Sequence, residues 1–283
     1  MGTFGSRPCS HYSSFEVRDC SCRHHEGIGK HGEGRRLLER PLSGEQMMFT
    51  DMNPKLMKGQ AFGYHSAGLH LAPARISGYQ VCASASTGCT TACLYTSGMG
   101  KFTTTQAARI AKTKRLFEDA DNFLRDIVKD IEAAVRKAAR VQLTPAVRLN
   151  LTSDVRWENI EVTVRGVTYP NLMAAFPTVQ FYDYTKHTNR KNIPANYHLT
   201  FSRSESNDTK LADMMAEGYN VAVVFDTKKG ADLPATWNGI PVIDGDISDL
   251  RFLDPRGVIV GLRGKGEARK GSHNGFVIST KTI

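Results

Sequence analysis

Three cysteines carry the most specific chemistry in the chain. Cys82, Cys89 and Cys93 are spaced C-x6-C-x3-C within a segment otherwise made of Ser, Thr, Ala and Gly. If Thr90 to Tyr95 is helical, Cys89 and Cys93 at i, i+4 share one face. Cys82 can then fold back over Gly88 to join them. Three thiolates in a small-residue loop suit a soft, thiophilic metal. Backbone N–H groups of such a loop can hydrogen-bond the charged sulfurs. Three protein ligands leave a coordination position open to substrate or water, whereas four close the site. The first reading is a 4Fe–4S cluster with one iron free. The second is zinc, completed by His65, His70, His187 or His198. The third is reduced cysteines packed in a loop without a metal.

A second group of ionisable residues falls where apolar runs end. The candidate strands are Val147 to Leu151, Val179 to Tyr184, Tyr197 to Phe201, Asn220 to Phe225, Pro241 to Ile243 and Val258 to Leu262, with Phe276 to Ile278 as a last one. They lead into Ser153-Asp154 and Trp157-Glu158, Thr185-Lys186-His187, Ser202-Arg203-Ser204-Glu205, Asp226, Asp244-Gly245-Asp246 and Arg263-Gly264-Lys265-Gly266. Parallel α/β folds bind ligands at this carboxyl edge. Lys186 and Arg203 are the expected binders of a phosphate or carboxylate, Arg203 in bidentate fashion. Asp183 and Glu205 are the expected proton-transfer groups. Asp154, Glu158, Asp244 and Asp246 are expected to line the substrate pocket.

The elements that must hold these residues are legible in part. Tyr79 to Val81 reads as a short strand running into the cysteine loop. Thr103 to Phe117 and Asp119 to Arg140 read as helices. The second carries Phe123, Leu124, Ile127, Val128, Ile131 and Val135 at 3.6-residue spacing, one core-facing stripe. Further helices are expected over Asp208 to Glu217 and Tyr169 to Ala175. Strands separated by helices or tight loops predict a mostly parallel sheet, as a complete or partial (β/α) barrel, with a doubly wound open sheet as the alternative. Residues 1–52 are rich in Gly, Ser, Arg and His and show little periodicity. They read as a disordered arm, or as sequence upstream of a true start at Met47, Met48 or Met52. Residues 53–283 then form a single α/β domain.

Composition narrows the class. The chain has 283 residues, with 40% hydrophobic and 23% charged, in the globular range. No apolar run reaches the length of a membrane span, and no secretory signal is expected. The six cysteines fall in two groups, Cys9, Cys20 and Cys22, then Cys82, Cys89 and Cys93, with none beyond. Disulfide frameworks spread pairs through the fold, so the clustering argues for a reduced, cytoplasmic protein. A net charge of +9 suits phosphate-bearing ligands or nucleic acid. There is no P-loop, no G-x-S-x-G elbow and no H-E-x-x-H. Oligomeric state is not legible.

Two resemblances add expectations. A three-cysteine loop after the first strand of a partial barrel resembles radical S-adenosylmethionine enzymes, although their common spacing is C-x3-C-x2-C. Gly257-Val258-Ile259-Val260-Gly261 is similar to the G-x-I-x-G stretch that contacts adenine in that superfamily. The likeness implies a 4Fe–4S cluster, S-adenosylmethionine on its open iron, and cofactor contacts at Gly257 and Gly261. Separately, Asn53-Pro54-Lys55, Leu71-Ala72-Pro73, Cys89-Thr90-Thr91-Ala92-Cys93-Leu94, Ala108 to Thr113, Arg148-Leu149-Asn150, Phe181 to Lys186, Tyr197 to Ser202 and Asp244-Gly245-Asp246 resemble the bacteriophage "gene product 88" domain family. That resemblance covers about Asn53 to Val277. It implies a phage or prophage origin and a bacterial cytoplasm, and it supplies no activity.

Three functional classes follow. The first is an iron–sulfur enzyme acting on a nucleotide or nucleic-acid-related substrate. The second is a nuclease or phosphoesterase whose Asp154, Asp183, Asp226, Asp244 and Asp246 hold Mg²⁺ or Mn²⁺, with the cysteines as a zinc clip. The third is a non-enzymatic nucleic-acid binding protein that stacks bases on Tyr182, Tyr184, Tyr197 and Phe201.

Overall fold

The computed structural model describes residues 47–281. Cys9, Cys20, Cys22 and the expected arm as far as residue 46 lie outside the described residues. The rest of that stretch belongs to the fold. Strand β1 (Phe49–Thr50) pairs antiparallel with β2 (Tyr64–Leu69). Met48 and Phe49 are buried, and their N–H groups donate to Asp130 Oδ2 at 2.6 and 2.7 Å. The domain boundary set at residue 53 therefore moves back, because a two-residue strand carries no periodicity to announce it. Asn53 then caps α1 (Pro54–Met57), its side chain accepting from the Lys55 N–H at 2.9 Å.

After β2 come the cysteine loop with its single-turn helix α2 (Thr87–Thr91), then α3 (Thr103–Glu118), α4 (Ala120–Arg140) and β3 (Thr144–Arg148). A small hairpin follows, β4 (Val162–Val164) and β5 (Val167–Tyr169), with the short helix α5 (Leu172–Ala175). The chain continues through β6 (Gln180–Thr185), β7 (Tyr197–Ser202), α6 (Leu211–Ala216), β8 (Val221–Phe225), β9 (Thr236–Trp237), β10 (Ile240–Asp244), β11 (Ile259–Arg263) and β12 (Val277–Ile278).

The main sheet runs β1-β2-β3-β6-β7-β8-β11-β10-β9. Its interior strands from β2 to β10 are all parallel, while β1 and β9 pair antiparallel at the two ends. β7 pairs with β8 only at Val221 and Ala222, and β12 takes up Val224 and Phe225 on the same strand. The pairing path does not close, so the complete barrel expected from the sequence is not formed. The fold is an α/β protein built on a large, mostly parallel open sheet.

Successive strand residues point to opposite faces. One face packs Ala67, Leu69, Val147, Leu149, Phe181, Tyr197 and Leu199 against Phe123, Ile127 and Ile131 of α4. Full burial of each such helix side chain stabilises the fold by about 1.5–3 kcal/mol. The opposite face of β3 and β6 carries Ala146 and Tyr182, covered by Leu250 and Phe252 from the segment after β10. Polar side chains of that second face rise to the carboxyl edge, where the cysteine loop lies. Among the described residues, no helix is long and apolar enough to cross a membrane.

Several elements depart from expectation. Tyr79 to Val81 is a turn, and the strand that feeds the cysteine loop is β2, whose Tyr-His-Ser-Ala-Gly-Leu reads as neither alternating nor apolar. Its small residues are there for close approach: a Cβ on Gly68 would sit 2.8 Å from the Arg148 carbonyl oxygen. The helix over Asp208 to Glu217 begins as a 3₁₀ turn before α6. Tyr169 belongs to β5 rather than to α5.

Candidate functional site

A cavity of about 220 Å³ opens at the carboxyl edge of the parallel strands. Cys82, Cys89 and Cys93 line it together with Arg148, Asp154, Tyr184, Lys186, Ser202, Asp246 and Lys265, and Val224, Leu262 and Phe276 add an apolar wall. All three cysteines are free thiols.

The loop that carries them is pinned at several points. Ser86 caps α2, its Oγ accepting from the Cys89 N–H at 3.1 Å and donating to Glu205 Oε2 at 2.7 Å. The Gly88 N–H donates to Glu205 Oε1 at 2.6 Å. Gly88 is required by contact, because a Cβ there would collide with the His273 carbonyl and come within 2.7 Å of Phe276 Cβ. On the other side, the Asp154 N–H donates to Val81 O at 2.8 Å, and Asp154 Oδ2 accepts from the Lys186 N–H at 2.8 Å. Asp154 thus ties Cys82 and Lys186 to the end of β3.

Burial pushes the Cys82 thiol up to about 12, against a backbone hydrogen bond from Ala74, and the other two cysteines add to the rise. Cys93 is also raised, by burial first, while the backbone at Tyr95 and the Lys186 and Arg109 charges pull it back. The thiols are therefore close enough to act on one another, and Cys82 is protonated near neutrality. Among the described residues, no three His, Cys, Asp or Glu side chains converge on a point where one metal ion could be held.

The cations of the cavity are not equivalent. Arg148 pairs with Asp249 at 2.8 Å, and its guanidinium lies 4.7 Å from the Tyr184 ring centroid. Lys265 pairs with Asp246 at 2.7 Å. Lys186 Nζ instead donates to Ser202 Oγ at 2.7 Å and stands 5.6 Å from the Phe276 ring centroid, with no carboxylate in ion-pair range among the described residues. Tyr184 Oη and Arg148 Nε are buried without a hydrogen-bond partner.

Other expected site residues hold the scaffold. Asp183 is fully buried on the α4 side, accepting from the Asn150 N–H at 2.7 Å and from Tyr197 Oη at 2.8 Å. Burial raises its carboxyl to about 7, opposed by Arg148 and these donors. Glu158 is buried against Arg190, with Nε donating to Oε1 at 2.9 Å. Arg203 grips Asp208 and the carbonyls of Gly275 and Phe276. Glu205 holds the cysteine loop. Asp244 pairs with Arg263 at 2.8 Å. Gly257 turns the chain with φ +73 at the amino end of β11, and Gly261 packs against Val242 and Leu233; neither lines the cavity.

None of the four histidines lines it either. His70 meets Thr152 and His187 meets Ser84 at its margin, His65 faces Asp51, and burial with Arg251 and Arg256 nearby lowers His198 to about 4. The carboxylates of the nuclease reading are dispersed, with only Asp154 and Asp246 at the cavity. Tyr182, Tyr197 and Phe201 are buried in the sheet and present no ring to a base. Sequence reasoning missed Arg148 and Lys55 as cavity residues, and took Tyr184 only as a base-stacking ring and Lys265 only as part of a basic strand end. The available signals were an arginine inside an apolar strand and the i, i+2 step from Lys186 back to Tyr184.

No curated protein and no solved structure matches the chain at a significant level. One family model does, over residues 47–280, which takes in β1 through β12 and the whole of the cavity. The chain belongs to the gene product 88 family.

Proposed function

We propose that the protein is an iron–sulfur enzyme in which Cys82, Cys89 and Cys93 hold a 4Fe–4S cluster, acting on an anionic substrate of the nucleotide class. One observation carries the reading: a single loop after the first parallel strand brings three thiols to the wall of one cavity, which Lys186, with no carboxylate in ion-pair range among the described residues, also lines. A single tetrahedral zinc would draw its sulfurs to within about 3.8 Å of one another. A cluster gives each thiolate its own iron and accepts wider spacing. The wound order of β2, β3, β6, β7 and β8 supports reading the sheet as a partial barrel, and with it S-adenosylmethionine as a ligand of the open iron. Reduced thiols fit a bacterial cytoplasm.

A bound cluster would supply one-electron chemistry at an iron with a free position. The chain's own groups do the rest. Lys186 offers a positive charge to a phosphate or carboxylate, steadied by Ser202 and by the Asp154 clamp on its backbone. Tyr184 Oη is a donor left without a hydrogen-bond partner in a residue that lines the cavity, and Arg148 Nε stands 3.8 Å from Asp183 Oδ1. Val224, Leu262 and Phe276 keep water from one wall. The test is anaerobic reconstitution of the full chain with ferrous iron and sulfide. Brown protein with about four irons per chain is expected, lost in each of Cys82→Ala, Cys89→Ala and Cys93→Ala. Colourless protein, or zinc bound in place of iron, overturns the reading.

A further inference from the structure

We propose that the cavity continues into a second subsite behind Ala268, which takes the backbone phosphate of a neighbouring nucleotide, so that the ligand is a single-stranded nucleic acid and not a free nucleotide. The inference rests on the nucleotide-class reading of the substrate and deepens it, and it requires no metal.

Ala268 lines the thiol cavity and also a second hollow of about 330 Å³. Arg269, Lys270, Gly271, Ser272, Ser279 and Asp226 form most of the rest of that hollow. It sits at the carboxyl end of β8, where β12 pairs with Val224 and Phe225. The wall between the two hollows is the turn Gly266–Arg269 after β11, held to β8 by the Gly264 N–H, which donates to Phe225 O at 2.9 Å. Phe276 faces the first hollow and Val277 the second. Guanidinium, ammonium, hydroxyl and backbone N–H groups are what proteins set against phosphates. Arg269 Nε donates to Gly264 O at 3.2 Å, which fixes the guanidinium, and no carboxylate lies in ion-pair range of it among the described residues. Lys270 pairs with Glu267 at 2.8 Å. A Cβ on Gly271 would meet nothing within 4 Å, so the backbone there is open to a ligand. The carboxylate of this wall, Asp226, is already engaged: it accepts from Ser279 Oγ, from the Thr280 N–H and from Thr280 Oγ1, each at 2.8 Å. Lys228 and Lys229, in the loop that Asp226 opens, are exposed and likewise have no carboxylate in ion-pair range among the described residues.

One anion site, Lys186 with Ser202, therefore lies on one side of Ala268, and a second, Arg269 with Lys270, lies on the other. A free nucleotide carries its phosphate at one end and fills only the first. A ligand that fills both has phosphates on either side of a nucleoside, which is the repeat of a polynucleotide strand. A duplex does not fit, because a stacked and paired base cannot enter a cavity between strand ends, whereas a single strand can turn one nucleotide inward. A basic track beside a partly apolar cavity is also the pattern of single-strand binding, and its phosphate contacts weaken with salt.

The test uses the iron-free full chain and fluorescence anisotropy with a labelled single strand of about eight nucleotides, as DNA and as RNA. At least one of the two strands is expected to bind about tenfold or more tightly than the matching mononucleotide, measured by calorimetry. Arg269→Gln is expected to weaken strand binding about tenfold and to flatten the slope of log K against log salt by roughly 0.7, one phosphate contact, while mononucleotide binding and the melting temperature stay at wild type. Lys186→Gln should weaken both ligands. Strands that bind no more tightly than the mononucleotide overturn the inference. So do a duplex of the same length or phosphatidylserine vesicles that displace the strand as well as an unlabelled strand does, and an Arg269→Gln that leaves strand binding unchanged or weakens both ligands alike. If neither strand nor mononucleotide binds, the nucleotide reading fails first and this inference with it; if the mononucleotide alone binds, only this inference falls.

Discussion

Asp183 and Glu205 show how a carboxylate at a strand end can be structural while looking catalytic. Asp183 spends its oxygens on Asn150 and Tyr197, beneath the sheet and away from the cavity. Asp183→Asn would set an amide N–H₂ against these donors. It is expected to cost about 1–3 kcal/mol of stability, read by urea unfolding, with iron stoichiometry unchanged in the folded fraction. Glu205 binds the Ser86 hydroxyl and the Gly88 N–H, so its role is to place Cys89. Glu205→Gln keeps the shape but offers only one acceptor to two donors. Slower cluster uptake and faster cluster loss are expected, and retention equal to wild type would deny it that role. Lys186 is the contrasting case, a cation at the cavity with no ion-pair partner among the described residues. Lys186→Gln should weaken binding of a nucleotide phosphate about tenfold or more by calorimetry, while leaving the melting temperature almost unmoved.

At the level of elements, the cysteine loop is shaped more by its neighbours than by its own propensity. α2 is one turn long, far below what is stable alone in water. It exists because Ser86 caps it, Glu205 holds the Gly88 N–H and the Ser86 hydroxyl, and the His273–Phe276 segment presses on Gly88. Gly88→Ala is therefore expected to displace the loop and abolish cluster retention. Its stability loss should exceed the usual small effect of a surface Gly-to-Ala change, measured by thermal melting of the iron-free protein. Loops and long helices differ here for a physical reason. α4 spans Ala120–Arg140 and writes its buried face into the sequence every three or four residues, so its position and core residues could be read directly. A six-residue strand of small residues such as β2 has no such signature. Its place is set by Gly68 meeting β3.

Across the whole molecule, the open parallel sheet puts titratable groups into two environments, a wet carboxyl edge and a dry second face. His198 lies on β7, lowered to about 4 by burial and by the Arg251 and Arg256 charges, and His70 is lowered to about 3 by burial and three cations. In the unfolded chain both titrate near 6.5. Between those values the unfolded state binds more protons than the folded one, so stability is full above about pH 6.5 and declines as the pH falls toward 4. His198→Gln should remove up to about one proton from that slope near pH 5. Urea midpoints of the variant and the wild type at a series of pH values measure it. Parallel curves would show that His198 is not held neutral in the folded protein.

How far the protein could be read before its fold was in hand depends on the range of the interactions involved. The helices α3 and α4, the strands β3, β6, β7, β8, β10, β11 and β12 and the cysteine spacing are local patterns, and they stood in the sequence because periodicity and spacing are properties of neighbouring residues, whereas the two- and three-residue strands β4, β5 and β9 are too short to show one. Which side of a strand end faces the cavity is not local. Lys186 and Asp183 lie three residues apart in one stretch, yet one meets the thiols and the other the buried network under the sheet, because side chains alternate and only the packing of α4 says which face is dry. Arg109 is the clearest instance. Its sequence context is an ordinary basic helix, and only the packed fold shows its guanidinium buried over the Tyr95 ring with no carboxylate in ion-pair range among the described residues, since a missing contact is a property of everything packed around it.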